Sequence, residues 1–93
     1  MVKISISERD EGKYYLIEAR GSDLYGDVKF AVWQTGNDPK ASDWYTPTRV
    51  EKQYYTLMYL PNAGRGEEYN VHIYSDGEYI DEKTFIVKKR NNN

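Results

Sequence analysis

The sequence predicts an all-β fold, a sandwich of about seven short antiparallel strands in a single domain. In several short stretches apolar and polar residues alternate, as in a strand with one buried and one solvated face. Gly, Asn, Asp and Pro separate these stretches at short intervals, and no long window has helical periodicity. A chain of 93 residues forms one domain. We assign it to residues 1–90 and expect residues 91–93 to be a disordered tail.

The first two predicted strands span residues 2–7 and 14–20, and a polar turn with Gly12 separates them. Leu24, in the loop that follows, is expected to close one end of the core. The residues of these two strands that are expected to face the core are Val2, Ile4, Ile6, Tyr15, Ile17 and Ala19.

The third predicted strand, residues 28–34, is compatible with two orientations. In the first, Val28, Phe30 and Val32 face the core and Trp33 faces outward. In the second, Trp33 is buried, like the tryptophan of the third strand in immunoglobulin-type sandwiches. The number of apolar residues favours the first orientation and the fold analogy favours the second, so the sequence leaves both open.

The second half of the chain predicts four further strands, over residues 43–46, 53–60, 69–74 and 79–88. Pro47 cannot donate a ladder hydrogen bond, so the strand before it suits a sheet edge. The long connection after residue 60 fits a crossover between two sheets better than a hairpin. Tyr69 follows a glycine-containing turn, which is where sandwiches of the immunoglobulin type have a tyrosine corner. The inward residues expected from the last two strands are Tyr69, Val71, Ile73, Phe85 and Val87.

Composition and charge argue against several classes of partner. The 13 basic and 15 acidic residues leave a net charge of −2, whereas a nucleic-acid binder needs clustered Lys and Arg. The one basic cluster, residues 88–90, lies beside the expected tail, so we expect it to be solvated. No stretch approaches the roughly 20 apolar residues of a membrane span, and no signal peptide is recognisable. We expect no nucleic acid, no membrane insertion and a monomer.

No catalytic or metal-binding motif is recognisable in the sequence. Cysteine is absent and His72 is the only histidine, so the usual zinc sites cannot form. Asn37, Asp38 and Asp43 have oxygen ligands, but their spacing matches no EF-hand loop and favours a turn. The acidic pairs lie in or near turns, and adjacent strand residues point to opposite faces. We therefore expect no enzyme activity, no cofactor and no metal.

The ten Tyr and two Trp residues allow one sharper hypothesis, an aromatic binding face. If the strand at residues 69–74 buries its apolar set, two of its rings lie outside, and tryptophans from neighbouring strands can join them. Asn70 and Asp43 beside flat rings would suit the hydroxyl groups of a sugar chain. The alternative is that the large rings belong to the core. The candidate ligand-binding residues are Trp33, Trp44, Tyr45, His72 and Tyr74.

Three segments resemble the streptococcal Bsp-like repeat family: Phe30-Ala31-Val32-Trp33, Asp43-Trp44-Tyr45, and residues 66–77 with Tyr69-Asn70-Val71-His72 and Asp76-Gly77. The resemblance covers about residues 2–88. It implies a small immunoglobulin-like or fibronectin-III-like sandwich, found in secreted or surface proteins of Gram-positive bacteria and their phages, often beside cell-wall hydrolase domains. It carries no known binding residues.

The expected function is therefore that of a non-catalytic accessory module in a larger extracellular or cell-surface protein. Its expected partners are cell-wall polysaccharide, peptidoglycan or a surface protein. The alternative is a structural spacer or protein–protein interaction module whose rings are core. Exposure of Trp33 or Trp44 distinguishes the two, because a binding face needs accessible rings and a spacer does not.

Overall fold

The computed structural model describes residues 2–88, which form eight strands and two single 3₁₀ turns. Lys89 and Arg90 of the basic cluster and the expected tail at residues 91–93 lie outside the described residues. The strands are β1 (Lys3–Arg9), β2 (Tyr14–Arg20), β3 (Val28–Gln34), β4 (Asp43–Tyr45), β5 (Thr48–Val50), β6 (Gln53–Tyr59), β7 (Glu68–Ser75) and β8 (Glu78–Ile86). The strand that the sequence did not predict is β5, whose three residues are all exposed and so have no alternation. Within residues 2–88 no helix has the length and apolar character needed to cross a membrane.

The strands form two antiparallel sheets of four, in the orders β1-β2-β6-β5 and β4-β3-β7-β8. The chain passes between the sheets after β2, β4 and β6. The last of these passages is the long connection after residue 60, so the predicted crossover is confirmed. One hydrophobic cluster takes residues from both sheets, which gives a sandwich-like arrangement.

The core contains the residues that alternation predicted for β1 to β3 and β7. Ile4 and Ile6 of β1 are half-buried and pack against the side of the core. On β3, Phe30 is completely buried and Trp33 is not in the core, so the first orientation of this strand is confirmed. Leu24 is buried where the loop after β2 meets the core, as expected. The buried apolar residues are Tyr15, Ile17, Ala19, Leu24, Val28, Phe30, Ala31, Val32, Tyr54, Met58, Ala63, Val71, Ile73 and Val87.

Hydrogen bonds tie the loop between β2 and β3 to the end of β7. The buried Ser75 hydroxyl accepts from the Tyr25 N–H at 3.0 Å and donates to the Tyr25 carbonyl oxygen. Asp76 Oδ1 accepts from the Asp27 N–H at 2.7 Å. Gly26 lies between these bonds with φ of +68°, a left-handed conformation that glycine adopts without steric cost.

Tyr69 lies at the position of a tyrosine corner but bonds differently. Its hydroxyl donates to Glu67 Oε1 at 3.2 Å, whereas a tyrosine corner bonds to backbone a few residues upstream. The Glu67 carboxylate is within reach because it precedes the ring by two residues. The Tyr69 ring stacks on Phe85 with centroids 5.6 Å apart, and both side chains pack against the core.

Candidate functional site: an aromatic face on the second sheet

The outer face of the β4-β3-β7-β8 sheet has aromatic side chains around a small central residue. Ala31 of β3 pairs with Trp44 of β4 on one side and with His72 of β7 on the other. By alternation Ala31 points outward with Trp33, away from the core residue Phe30. It is nevertheless only 2% exposed. We infer that the larger rings on the flanking strands cover this alanine, so that it forms the floor of the face.

Five rings form a continuous series of contacts on this face, and we call them the ring platform: Trp33, His72, Tyr79, Tyr74 and Trp44. The consecutive centroid distances are 4.5, 5.3, 6.0 and 5.3 Å. All four lie within the range over which aromatic pairs attract each other, and three of the pairs meet edge to face. Trp44 is 58% exposed and Tyr79 is 46% exposed, so the platform has accessible apolar surface.

A β-bulge brings Tyr79 onto the ring platform. Between β7 and β8, Ile73 pairs with Asp81 but Tyr74 pairs with Tyr79, so the register skips Ile80. Without the skip Ile80 would lie opposite Tyr74. The bulge instead leaves Ile80 packed against the core and turns the tyrosine outward.

One carboxylate connects two of the rings. Glu82 of β8 pairs with His72 of β7, and the His72 Nε2 atom lies 3.5 Å from Glu82 Oε1. The Tyr79 hydroxyl donates a hydrogen bond to the same carboxylate oxygen. This hydrogen bond, followed by desolvation and the negative charge of Glu82, raises the pKa of Tyr79 to about 12. The platform therefore keeps the Tyr79 phenol neutral up to high pH.

We predict that Glu82→Gln lowers the pKa of Tyr79 from about 12 toward the ordinary tyrosine value of about 10. An unfolded chain loses the tyrosine proton near pH 10, whereas folded Tyr79 keeps it until about pH 12. The contribution of the pair to stability is therefore complete below about pH 10 and disappears as the pH rises from about 10 through about 12. Tyrosine ionisation is followed by ultraviolet absorbance as the pH is raised. The difference between the curves of the wild type and of Tyr79→Phe isolates the ionisation of Tyr79. The same titration in the Glu82→Gln background checks the prediction, and an unchanged Tyr79 titration would contradict it.

Asn70 supplies an amide at the Trp33 end of the platform. Its Nδ2 donates to Thr35 Oγ1 at 2.9 Å and to the Trp33 carbonyl oxygen at 3.4 Å. These two bonds use the amide hydrogens and leave the Asn70 Oδ1 atom as a hydrogen-bond acceptor beside the indole. Asp43 is the other polar residue proposed for this face. It pairs with the inward residue Val32, so its side chain lies on the side of β4 opposite the ring platform.

The structure brings together four of the five candidate residues: Trp33, Trp44, His72 and Tyr74. The fifth, Tyr45, pairs with Phe30 and packs against the core, on the side of β4 opposite Trp44. Desolvation by burial, with the nearby Asp43 carboxylate, raises the pKa of the Tyr45 hydroxyl. The sequence analysis missed Tyr79, because simple alternation along β8 gives no sign of the bulge. It treated Glu82 only as part of an acidic pair.

The oxygen-rich loop after β3 forms a turn. Asp38 Oδ1 accepts from the Lys40 N–H at 3.0 Å and so caps the 3₁₀ turn Pro39–Ala41. Across residues 2–88 no group of three or more His, Cys, Asp or Glu side chains is arranged to hold a metal ion.

Comparison of the chain with protein-family models, with curated proteins and with solved structures finds no match. The geometry of the ring platform is therefore the main basis for any assignment of function.

Proposed function

We propose that this chain is a non-catalytic binding module and that its ring platform binds glycan of a Gram-positive cell wall. The single observation that carries the proposal is the continuous series of five rings on one sheet face, with Trp44 more than half exposed. Flat rings cover the apolar face of a pyranose, and polar groups at the rim bond its hydroxyl groups. Asn70 Oδ1 and the free oxygen of the Glu82 carboxylate are the rim groups available here.

The proposed fold type is an immunoglobulin-like or fibronectin-III-like sandwich. The order β1-β2-β6-β5 corresponds to strands A-B-E-D of that fold, and β3-β7-β8 corresponds to C-F-G with β4 as an added edge strand. Trp33 departs from the immunoglobulin pattern because it lies on the outer face. The resemblance to the streptococcal Bsp-like repeat supports the same fold type. It also supports a place in a secreted or surface protein of a Gram-positive bacterium or phage.

We predict that Trp44→Ala weakens binding to insoluble peptidoglycan roughly five- to thirtyfold, which corresponds to about 1–2 kcal/mol for loss of an aromatic contact residue. Co-sedimentation of the purified chain with peptidoglycan measures this. Tyr59→Ala is the matched control, because Tyr59 is 56% exposed but lies on β6 of the other sheet. Both variants should remain folded, since both side chains are mostly in solvent. Equal binding by both variants would contradict the proposal.

The alternative is a structural spacer or a protein–protein interaction module with no small ligand. The observation that favours it is the edge-to-face packing of Trp33 on His72, because these two rings already cover part of each other's surface. Failure of the folded wild-type chain to sediment with peptidoglycan would support this alternative.

A further inference from the structure

A groove opens on the side of the sandwich between the edge strands β1 and β8, and none of the five rings of the ring platform lines it. Its volume is about 410 Å³. Ile6, Tyr15, Phe85 and Ile86 give it an apolar lining, and the oppositely charged Glu8 and Lys88 line it as well. Ile86 is 46% exposed, so apolar surface of the groove is in contact with solvent.

The groove contains a buried hydroxyl without a hydrogen-bond partner. Tyr15 is only 3% exposed, and its ring packs on Phe85 at a centroid distance of 4.9 Å. Within residues 2–88 its hydroxyl oxygen has no hydrogen-bond partner. Burial raises the pKa of Tyr15, and the backbone N–H of Lys88 partly opposes this rise. A backbone N–H is a donor, so it cannot accept a hydrogen bond from the Tyr15 hydroxyl. Buried polar groups nearly always have a partner, so a missing acceptor at this position needs an explanation.

The edge of β1 beside the groove also has unpaired backbone groups. The Ile4 carbonyl points away from β2, because it accepts a hydrogen bond from Lys83 Nζ of β8 at 3.2 Å. In an antiparallel strand the N–H and C=O of every second residue point to the same side. Ile6 and Glu8 therefore present theirs to the outer edge, and within residues 2–88 no hydrogen bond occupies them. A lysine that covers a strand edge is a common protection against pairing. Here that protection ends where the groove begins.

We propose that this groove binds an extended peptide strand of a partner protein, which pairs with the outer edge of β1 and whose backbone carbonyl accepts a hydrogen bond from the Tyr15 hydroxyl. Addition of a strand to a free sheet edge is an established mode of peptide recognition. Apolar side chains of the peptide would pack on Ile6 and Ile86. Glu8 and Lys88 are complementary to a peptide that carries one basic and one acidic side chain. This site is separate from the ring platform and does not depend on its proposed function.

The first arm of the test uses the free chain and needs no ligand. Tyr15→Phe keeps the buried ring and removes only the hydroxyl. We expect its unfolding midpoint in denaturant to be unchanged or higher than that of the wild type, because no hydrogen bond is lost and an unpaired polar group is removed. A lower midpoint would mean that the hydroxyl already has a partner in the free chain, and the proposal would fail.

The second arm measures binding. A phage-displayed library of random peptides of about ten residues, a length that covers a typical strand, is selected on the purified chain, and enriched peptides are synthesised. We expect Tyr15→Phe to bind them about two- to tenfold more weakly, the loss expected for one hydrogen bond. Each peptide is also made in two N-methylated forms, one methylated at the odd-numbered amides and one at the even-numbered amides. We expect one of these two forms to lose binding, because only every second amide of the peptide faces β1. Amide shifts in NMR spectra should change at Ile6 and Glu8 and not at His72.

Trp44→Ala serves as the control that should bind the selected peptides normally. Three outcomes would overturn the proposal. The first is that no peptide is enriched. The second is that both sets of N-methylated peptides still bind the wild-type chain and that Tyr15→Phe binds the unmodified peptides normally. The third is that the amide shifts map to the ring platform.

Discussion

Phe30→Ala is expected to lower the free energy of unfolding by about 3–5 kcal/mol. Phe30 is 0% exposed, and it pairs with Tyr45 on one side and with Ile73 on the other. Removal of its ring leaves a cavity between the two sheets, because close-packed neighbours relax only partly. A domain of this size is stable by only about 5–15 kcal/mol, so the variant would lose a large part of its stability. Urea or guanidinium unfolding followed by circular dichroism measures the change.

The matched control for this prediction is Leu57→Ala. Leu57 is also a large apolar residue in the middle of a strand, but it is 54% exposed on the outer face of the first sheet. Its substitution should change the free energy of unfolding by no more than about 0.5 kcal/mol. Similar losses in the two variants would mean that burial of Phe30 does not organise the core.

The second large effect is expected for Gly26→Ala, about 2–3 kcal/mol of destabilisation. Gly26 has φ of +68°, and a Cβ atom there would lie 2.3 Å from Asp76 Oδ1. Asp76 can move its carboxylate only by giving up the hydrogen bond from the Asp27 N–H. The substitution therefore adds backbone strain and also loosens the tie between the loop and β7. Chemical denaturation is again the measurement.

Gly36→Ala separates the strain from the collision. Gly36 has φ of +101°, and a Cβ atom there would meet nothing within 4 Å, so only strain of about 1 kcal/mol is expected. In an Asp76→Ala background the collision is absent, so the additional cost of Gly26→Ala should fall toward that of Gly36→Ala. If the cost is the same in both backgrounds, the collision with Asp76 is not its cause.

Much of the fold was predictable because alternation records burial directly. The inward residues Tyr15, Ile17 and Ala19 of β2, Val28, Phe30 and Val32 of β3, and Val71 and Ile73 of β7 are apolar, alternate along their strands and are buried. A shift by one residue would expose each of these sets. The same rule predicted that His72 and Tyr74 face outward once Val71 and Ile73 are core. The number of apolar residues on the opposite face of β3 favoured an outward Trp33, but the analogy with immunoglobulin-type sandwiches favoured a buried one, so the sequence did not decide between them.

The missed features lack a local signal. The bulge that turns Tyr79 outward depends on how β8 pairs with β7, and the sequence of β8 does not show it. On the three-residue strand β4, Trp44 and Tyr45 are adjacent, so only one of them can face outward, and so short a strand has no pattern that selects it. The exposed strand β5 buries none of its residues. In these places tertiary pairing, and not residue type, determines the structure.

The measurement that tests the central claim most directly is tryptophan fluorescence during titration with solubilised peptidoglycan fragments. The chain has two tryptophans, and both belong to the ring platform, so the emission reports on this face alone. We predict a saturable change in emission that Tyr59→Ala retains and that is much weaker in Trp44→Ala. An emission spectrum of the folded wild-type chain that does not respond to the fragments would contradict the account.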